Sequence, residues 1–278
     1  MAPLKSRTTQ SLREGDAEEL RADTSVGAVN LTHWYTPLGR VLAAVATRIG
    51  TYVGDHVALL LILALGAAIA FGLSFGASRI YDAITESDGV AGLDGPILQA
   101  AIHARTPALD TIAFGYAEIA GPIGMPILAA VAMLILALRR KSWTPVILIA
   151  SAAIGSLLMT VAGKDIVGRV RPPHADAVPP FEFSPSFPSG HTLNSIVIAG
   201  VVAYLLILRR RSTHARVLTI VVASVFALTV GLSRVFIGAH WFTDVLAGWT
   251  LGGAWLALVI TAHRLYLTSR KAHDRTSN

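Results

Sequence analysis

Six runs of apolar residues, separated by short polar or charged stretches, organise most of the chain. They lie at about Val57 to Ala77, Ile112 to Leu138, Val146 to Ala162, Leu193 to Leu208, Val217 to Leu232 and Val245 to Ala262. Each is near the length a helix needs to cross a bilayer. The pattern predicts an all-α polytopic membrane protein, a six-transmembrane helical bundle. Ahead of the first run, Leu38, Val41, Leu42, Val45 and Ile49 recur at helical spacing, with Arg40 and Arg48 on the remaining surface. This predicts an interfacial helix on the inner leaflet, with Trp34 and Tyr35 in the headgroup layer.

Smaller features punctuate this plan. Residues 1 to about 30 are too poor in large apolar groups to fold alone and read as a mobile tail. Between the first two runs, "LDGPILQAAIHARTPALD" reads as a short amphipathic helix broken before Pro107. The segment "GPIGMP" (Gly121 to Pro126) interrupts the second run and predicts a kink or a late start. The expected divisions are a tail and interfacial helix over 1–52, a membrane domain over 53–266 and a second tail over 267–278.

Composition agrees: 53% hydrophobic residues, 14% charged residues and a mean hydropathy of +0.59 exclude an ordinary soluble domain. The chain has no cysteine, which excludes disulfides and thiolate metal sites. No cleavable signal-peptide pattern precedes the first run, which is expected to serve as its own anchor. The formal net charge of +6 does not point to nucleic acid, because the cations flank helices. "RRK" (Arg139 to Lys141), "RRRSTHAR" (Arg209 to Arg216), both chain ends and the region before the first run all fall on one side of an alternating bundle. The positive-inside rule makes that side, and both termini, cytoplasmic.

The opposite side then carries Lys164, Arg169, Arg171 and Arg234, cations misplaced for a topological signal. Lys164 and Arg171 are seven residues apart and share a helical face if the third membrane helix continues outward. Arg234 closes the fifth helix. Such a cluster suits a phosphorylated ligand, since arginine grips phosphate through its planar fork. Arg169 is assigned to the solvated loop. "PSGH" (Pro188 to His191) places Ser189, Gly190 and His191 at the start of the fourth helix, where free N–H groups favour an anion. His191 is placed to donate a proton to a departing oxygen. His240 and Asp244 lie one helical turn apart, so the carboxylate can fix the imidazole tautomer and leave the other nitrogen free to attack. Each element alone has an ordinary reading as a membrane anchor, a cap or a surface pair. Three clusters at three helix ends on one membrane face outweigh it.

These residues resemble the signature of the type 2 phosphatidic acid phosphatase superfamily, written KX6RP, PSGH and SRX5HX3D. Here it reads Lys164 to Arg171 and Pro172, Pro188 to His191, then Ser233, Arg234, His240 and Asp244, with every spacing kept. The resemblance implies a helical bundle with its site near the outer membrane surface. Lys164, Arg171, Ser189, Gly190 and Arg234 would bind phosphoryl oxygens, His240 would attack phosphorus, Asp244 would orient it and His191 would protonate the leaving group. It implies no metal or other cofactor. The expected activity is hydrolysis of the terminal phosphate of a membrane lipid on the extracytoplasmic face. Polyprenyl diphosphate is favoured, and phosphatidate or phosphatidylglycerol phosphate comes next. A phosphotransferase using the same site and a non-catalytic lipid-binding or transport protein are the alternatives.

Overall fold

Thr36 and Thr106 each fold back on the start of a helix. Their hydroxyls accept the N–H of Gly39 at 3.1 Å and of Leu109 at 3.2 Å, and Pro37 and Pro107 follow as first helical residues. The structure, a computed structural model, describes residues 20, 22–66, 68 and 90–276. Among them the helices are α1 (Pro37–Val53), α2 (Asp55–Gly66), α3 (Asp94–His103), α4 (Pro107–Ile119), α5 (Gly124–Arg140), α6 (Thr144–Val167), α7 (Gly190–Arg209), α8 (Thr213–Phe236) and α9 (Phe242–Thr276). A two-residue hairpin, β1 (Ser25–Val26) with β2 (Val29–Asn30), precedes α1.

Helices α6 to α9 are each long and apolar enough to cross a membrane. The α4–α5 pair, bent by 45°, is together long and apolar enough for a fifth, as a broken span or a re-entrant loop, with the interruption expected at "GPIGMP". Of the first apolar run, α2 contains the beginning, and most of the remainder lies outside the described residues. The chain is a multi-pass membrane protein. Helix α7 is the hub, with Leu193, Val197, Val201 and Leu205 buried against Leu148 and Ile149 of α6 and Trp255 and Val259 of α9. Helix α8 turns Val217, Leu218, Val221, Val222 and Val225 outward, an apolar surface that only lipid satisfies.

Both predicted tails are corrected in part. Asp23 is fully buried and pairs with Arg140 and Arg209, each at 2.6 Å, so the end of the polar segment docks on the bundle. Residues 1–19 lie outside the described residues. At the other end α9 runs unbroken to Thr276, and Leu267 and Ser269 within it are buried. Helix α1 rests against α9 through Gly39, Ala43, Ala46 and Gly50, leaving Leu38, Val41, Leu42 and Val45 exposed, the apolar face an interfacial helix presents to lipid.

Candidate active site

Four chain segments meet at the end of the bundle opposite Arg140 and Arg209: the end of α6, the 168–189 loop, the start of α7 and the α8–α9 junction. Helix α6 stops because Gly168 takes a left-handed conformation, φ 63°, as glycine does without steric cost. The expectation that Lys164 and Arg171 share one helical face is therefore wrong in its geometry. Arg171 instead returns from the loop. Lys164 Nζ donates to Ser184 Oγ and the Pro185 carbonyl, both at 2.7 Å, and Arg171 donates to the same two residues. The two cations are brought together by a different route.

Arg234 ends α8 almost wholly buried, and its carbonyl accepts the N–H groups of Ala239 and His240 at 3.0 and 3.2 Å. Those bonds fix the turn that delivers His240. Nδ1 of His240 faces Oδ2 of Asp244 at 3.5 Å, too long for a formed hydrogen bond, so Nδ1 has no such partner. Nε2 lies 3.2 Å from Nη1 of Arg171, a group that can only donate. The lone pair is thus on Nε2 and the proton on Nδ1, toward the carboxylate, the tautomer a nucleophilic imidazole needs. Burial pushes this imidazole down to about 4 against the opposing pull of Asp244, and Arg171 and Arg234 lower it further. His240 is neutral at physiological pH.

At the start of α7, Ser189 is completely buried. Its N–H donates to the Asp244 carbonyl at 3.1 Å, and its Oγ accepts from Thr192 at 2.9 Å. It is at the site but fastens α7 to α9, and it does not cap the helix with its side chain. Gly190 sits so close to α6 that a Cβ would come 2.9 Å from Cγ2 of Thr160. His191 Nε2 is buried without a hydrogen-bond partner. His191, His240, Lys164 and Gly190 line one cavity of about 770 Å³. It descends between α5, α6 and α7 to apolar walls that include Met133, Ile149 and Ala153. A charged mouth above an apolar shaft has the shape of a lipid with a phosphorylated head.

Three residues belong to this site that sequence reasoning missed. Glu182 pairs with Arg171 at 2.8 Å and with Arg234 at shorter range. Burial alone would raise its carboxyl, but Arg234 and Arg171 together hold it at about 2. It lines both the large cavity and a second one bounded by Arg171 and Ser184. Arg169, expected in the solvated loop, is the clearest correction: it pairs with Asp244 at 2.5 Å and with Asp94 at 2.7 Å. Asp94, at the start of α3, also accepts the N–H and hydroxyl of Thr243 at 2.8 and 2.7 Å. Trp241 lies under Arg169 at 5.7 Å and donates to the Val170 carbonyl at 2.9 Å. Among the described residues no group of three or more His, Asp or Glu is gathered to hold a metal ion.

Residues 144–266 match the model of the PAP2 superfamily. The chain is 34% identical over 176 residues to phosphatidylglycerophosphatase B of Bacillus subtilis, covering 62% of this chain and 84% of that one. It is 32% identical over 126 residues to a lipid A 1-phosphatase of Rhizobium etli, covering 42% of this chain and 49% of that one. Over 74 residues it is 40% identical to an undecaprenyl-diphosphatase of Sulfolobus acidocaldarius, covering 27% of this chain and 31% of that one. The crystal structure of a transmembrane PAP2-type phosphatidylglycerolphosphate phosphatase from Bacillus subtilis superposes with a TM-score of 0.58 at 26% identity, over 80% of this chain and 96% of that one.

Proposed function

The chain belongs to the PAP2 superfamily and is a phosphatase; from that premise we propose that it hydrolyses the terminal phosphate of a membrane lipid through a phosphohistidine on His240. The observation that carries the reading is the joint placement of His240 and His191 at the charged mouth of one apolar cavity. In the proposed first step, Nε2 of His240 attacks phosphorus as the bond between phosphorus and the lipid's oxygen breaks. His191 supplies the proton to the departing oxygen. Asp244 stabilises the cationic imidazole that forms, while Lys164, Arg171, Arg234 and the first-turn N–H groups of α7 meet the charge on the transferring group. Water, activated by His191, then cleaves the phosphorus–nitrogen bond and releases phosphate.

The substrate is read from the cavity and the relatives together. The apolar shaft supports a lipid with its tail retained between α5, α6 and α7. The length of the match to phosphatidylglycerophosphatase B moves phosphatidylglycerol phosphate ahead of polyprenyl diphosphate, the substrate favoured from the sequence alone. The site lies at the end of the bundle opposite Arg139, Arg140, Arg209 and Arg210, which supports an extracytoplasmic site and cytoplasmic termini. The test is phosphate release by the purified protein in detergent and EDTA, across phosphatidylglycerol phosphate, phosphatidate and a polyprenyl diphosphate. Release from at least one is expected. Release from none, or transfer to an added alcohol in place of water, overturns the hydrolase reading.

A further inference from the structure

Asp244 has two oxygens and both are engaged. Oδ2 faces His240 and accepts the Trp241 N–H at 3.0 Å, while Oδ1 accepts from Nη1 of Arg169 at 2.5 Å. The other arm of that guanidinium, Nη2, is held by Oδ2 of Asp94 at 2.7 Å. Asp94 is itself fixed, because its Oδ1 accepts the backbone N–H of Thr243, one of the unpaired donors in the first turn of α9. A continuous line therefore runs from α3 through the 168–189 loop to the carboxylate behind His240. Its three charged members are buried or nearly so, with side-chain exposures of 7% for Asp94, 19% for Arg169 and 0% for Asp244. Asp94 lies upstream of the residues that match the superfamily.

We infer that Asp94 and Arg169 are positioning residues for the reaction: they clamp Asp244 in the rotamer that holds the His240 tautomer and partly neutralise its charge. The inference rests on the nucleophilic role proposed for His240. A carboxylate with one oxygen pinned by a two-armed guanidinium cannot rotate away from the imidazole without breaking a charge-assisted pair. Arg169 would otherwise carry a full charge beside Asp244, and Asp94 shares that charge. The clamp thus sets both the direction in which Asp244 points and how strongly it draws a proton onto His240. The remaining groups around His240 are Arg234 on α8, His191 on α7, Lys164 on α6, and Arg171 and Glu182 in the loop. None of them touches Asp244 from the side that Arg169 occupies.

The experiment compares Arg169→Gln, Arg169→Lys, Asp94→Asn and the double variant Asp94→Asn/Arg169→Gln with the wild type. Two readouts are taken on full-length protein in detergent: kcat and KM for a lipid phosphate, and the His240 titration midpoint by imidazole NMR, assigned with a His240→Gln control. Arg169→Gln should lower kcat about ten- to a hundredfold with KM changed less than about twofold. It should also raise the His240 midpoint, because Asp244 loses its counter-charge. Asp94→Asn keeps the oxygen that accepts the Thr243 N–H. It should lower kcat while leaving the midpoint unchanged or lower, since all of Arg169's charge then falls on Asp244. Arg169→Lys should restore the midpoint. An unmoved midpoint in Arg169→Gln, or a further loss when Asp94→Asn is added to Arg169→Gln, overturns the clamp. If the wild type releases no phosphate, the phosphatase reading fails, and the His240 midpoints still decide whether the clamp exists.

Discussion

Arg171 places Nη1 3.2 Å from Nε2 of His240, so the proposed nucleophile points its lone pair at a cation proposed to bind phosphate. A phosphoryl oxygen arriving at that guanidinium brings phosphorus to the attacking nitrogen with little further movement. The first consequence concerns pH. With its imidazole held near 4 by burial, His240 stays unprotonated as pH falls through 6.5, the ordinary histidine value. It loses its lone pair only nearer 4. The acid limb of kcat/KM, corrected for ionisation of the substrate, should lie well below 6. Linkage has the same sign: between about 6.5 and 4 the unfolded chain binds the proton first, so stability falls with pH across that window and levels off below it. A limb at 6.5 in the corrected profile would show an exposed, unshifted imidazole.

Substitution of the two histidines should separate their roles. His240→Ala removes the proposed nucleophile, and should lower kcat by about 10⁴-fold or more and abolish trapping of a phosphorylated protein. His191→Ala should preserve trapping with an activated ester such as a nitrophenyl phosphate, whose leaving group departs without a proton. In single-turnover formation of that phosphorylated protein, which leaves out the later water step, its cost should fall mainly on lipid phosphates, whose alcohol departs only with a proton. Equal losses on both substrates would remove His191 from the acid role.

Glu182 sits between Arg171 and Arg234, where a bound anion would also sit. If Arg171 and Arg234 bind phosphate as proposed, its carboxylate competes for the same donors. At a few ångströms even well-screened charges interact by about 1 kcal/mol, or roughly fivefold in affinity. Glu182→Gln should accordingly lower the inhibition constants of vanadate and inorganic phosphate by at least that factor. A rise in both constants would mean that Glu182 chiefly orients the arginines.

How far the sequence could be read depended on whether a contact was local. The four-residue spacing from His240 to Asp244 and the run into α7 made those partners legible, although His240 stands in the turn before α9 and not one helical turn along it. The bend before α5 was equally visible in Gly121 to Pro126. Arg169 was not, because two residues from Arg171 only the turn at Gly168 decides which guanidinium faces phosphate and which faces Asp244. Glu182 lies in a loop without periodicity, and Asp94 meets Thr243 across 149 positions. Asp23 was hidden for the opposite reason. It stands in a polar stretch that looks solvated, and its partners Arg140 and Arg209 looked like ordinary positive-inside cations.

The cavity itself yields the last prediction. Ala153 on α6 lines its apolar shaft below the charged mouth, well removed in sequence from Lys164. Ala153→Phe would fill space that a lipid tail is expected to occupy while leaving the proposed phosphate-binding groups in place. Each methylene kept from burial costs about 0.8 kcal/mol, so displacing two should lower kcat/KM for a long-chain lipid phosphate by about tenfold or more. A short-chain phosphate whose tail never reaches α6 should lose less than about twofold. The comparison is made on one protein preparation at a fixed detergent-to-lipid ratio, with vanadate inhibition as a check that the mouth is intact. If both substrates lose equally while vanadate binding is unchanged, the tail does not use the shaft between α5, α6 and α7, and the lipid must reach His240 from another side.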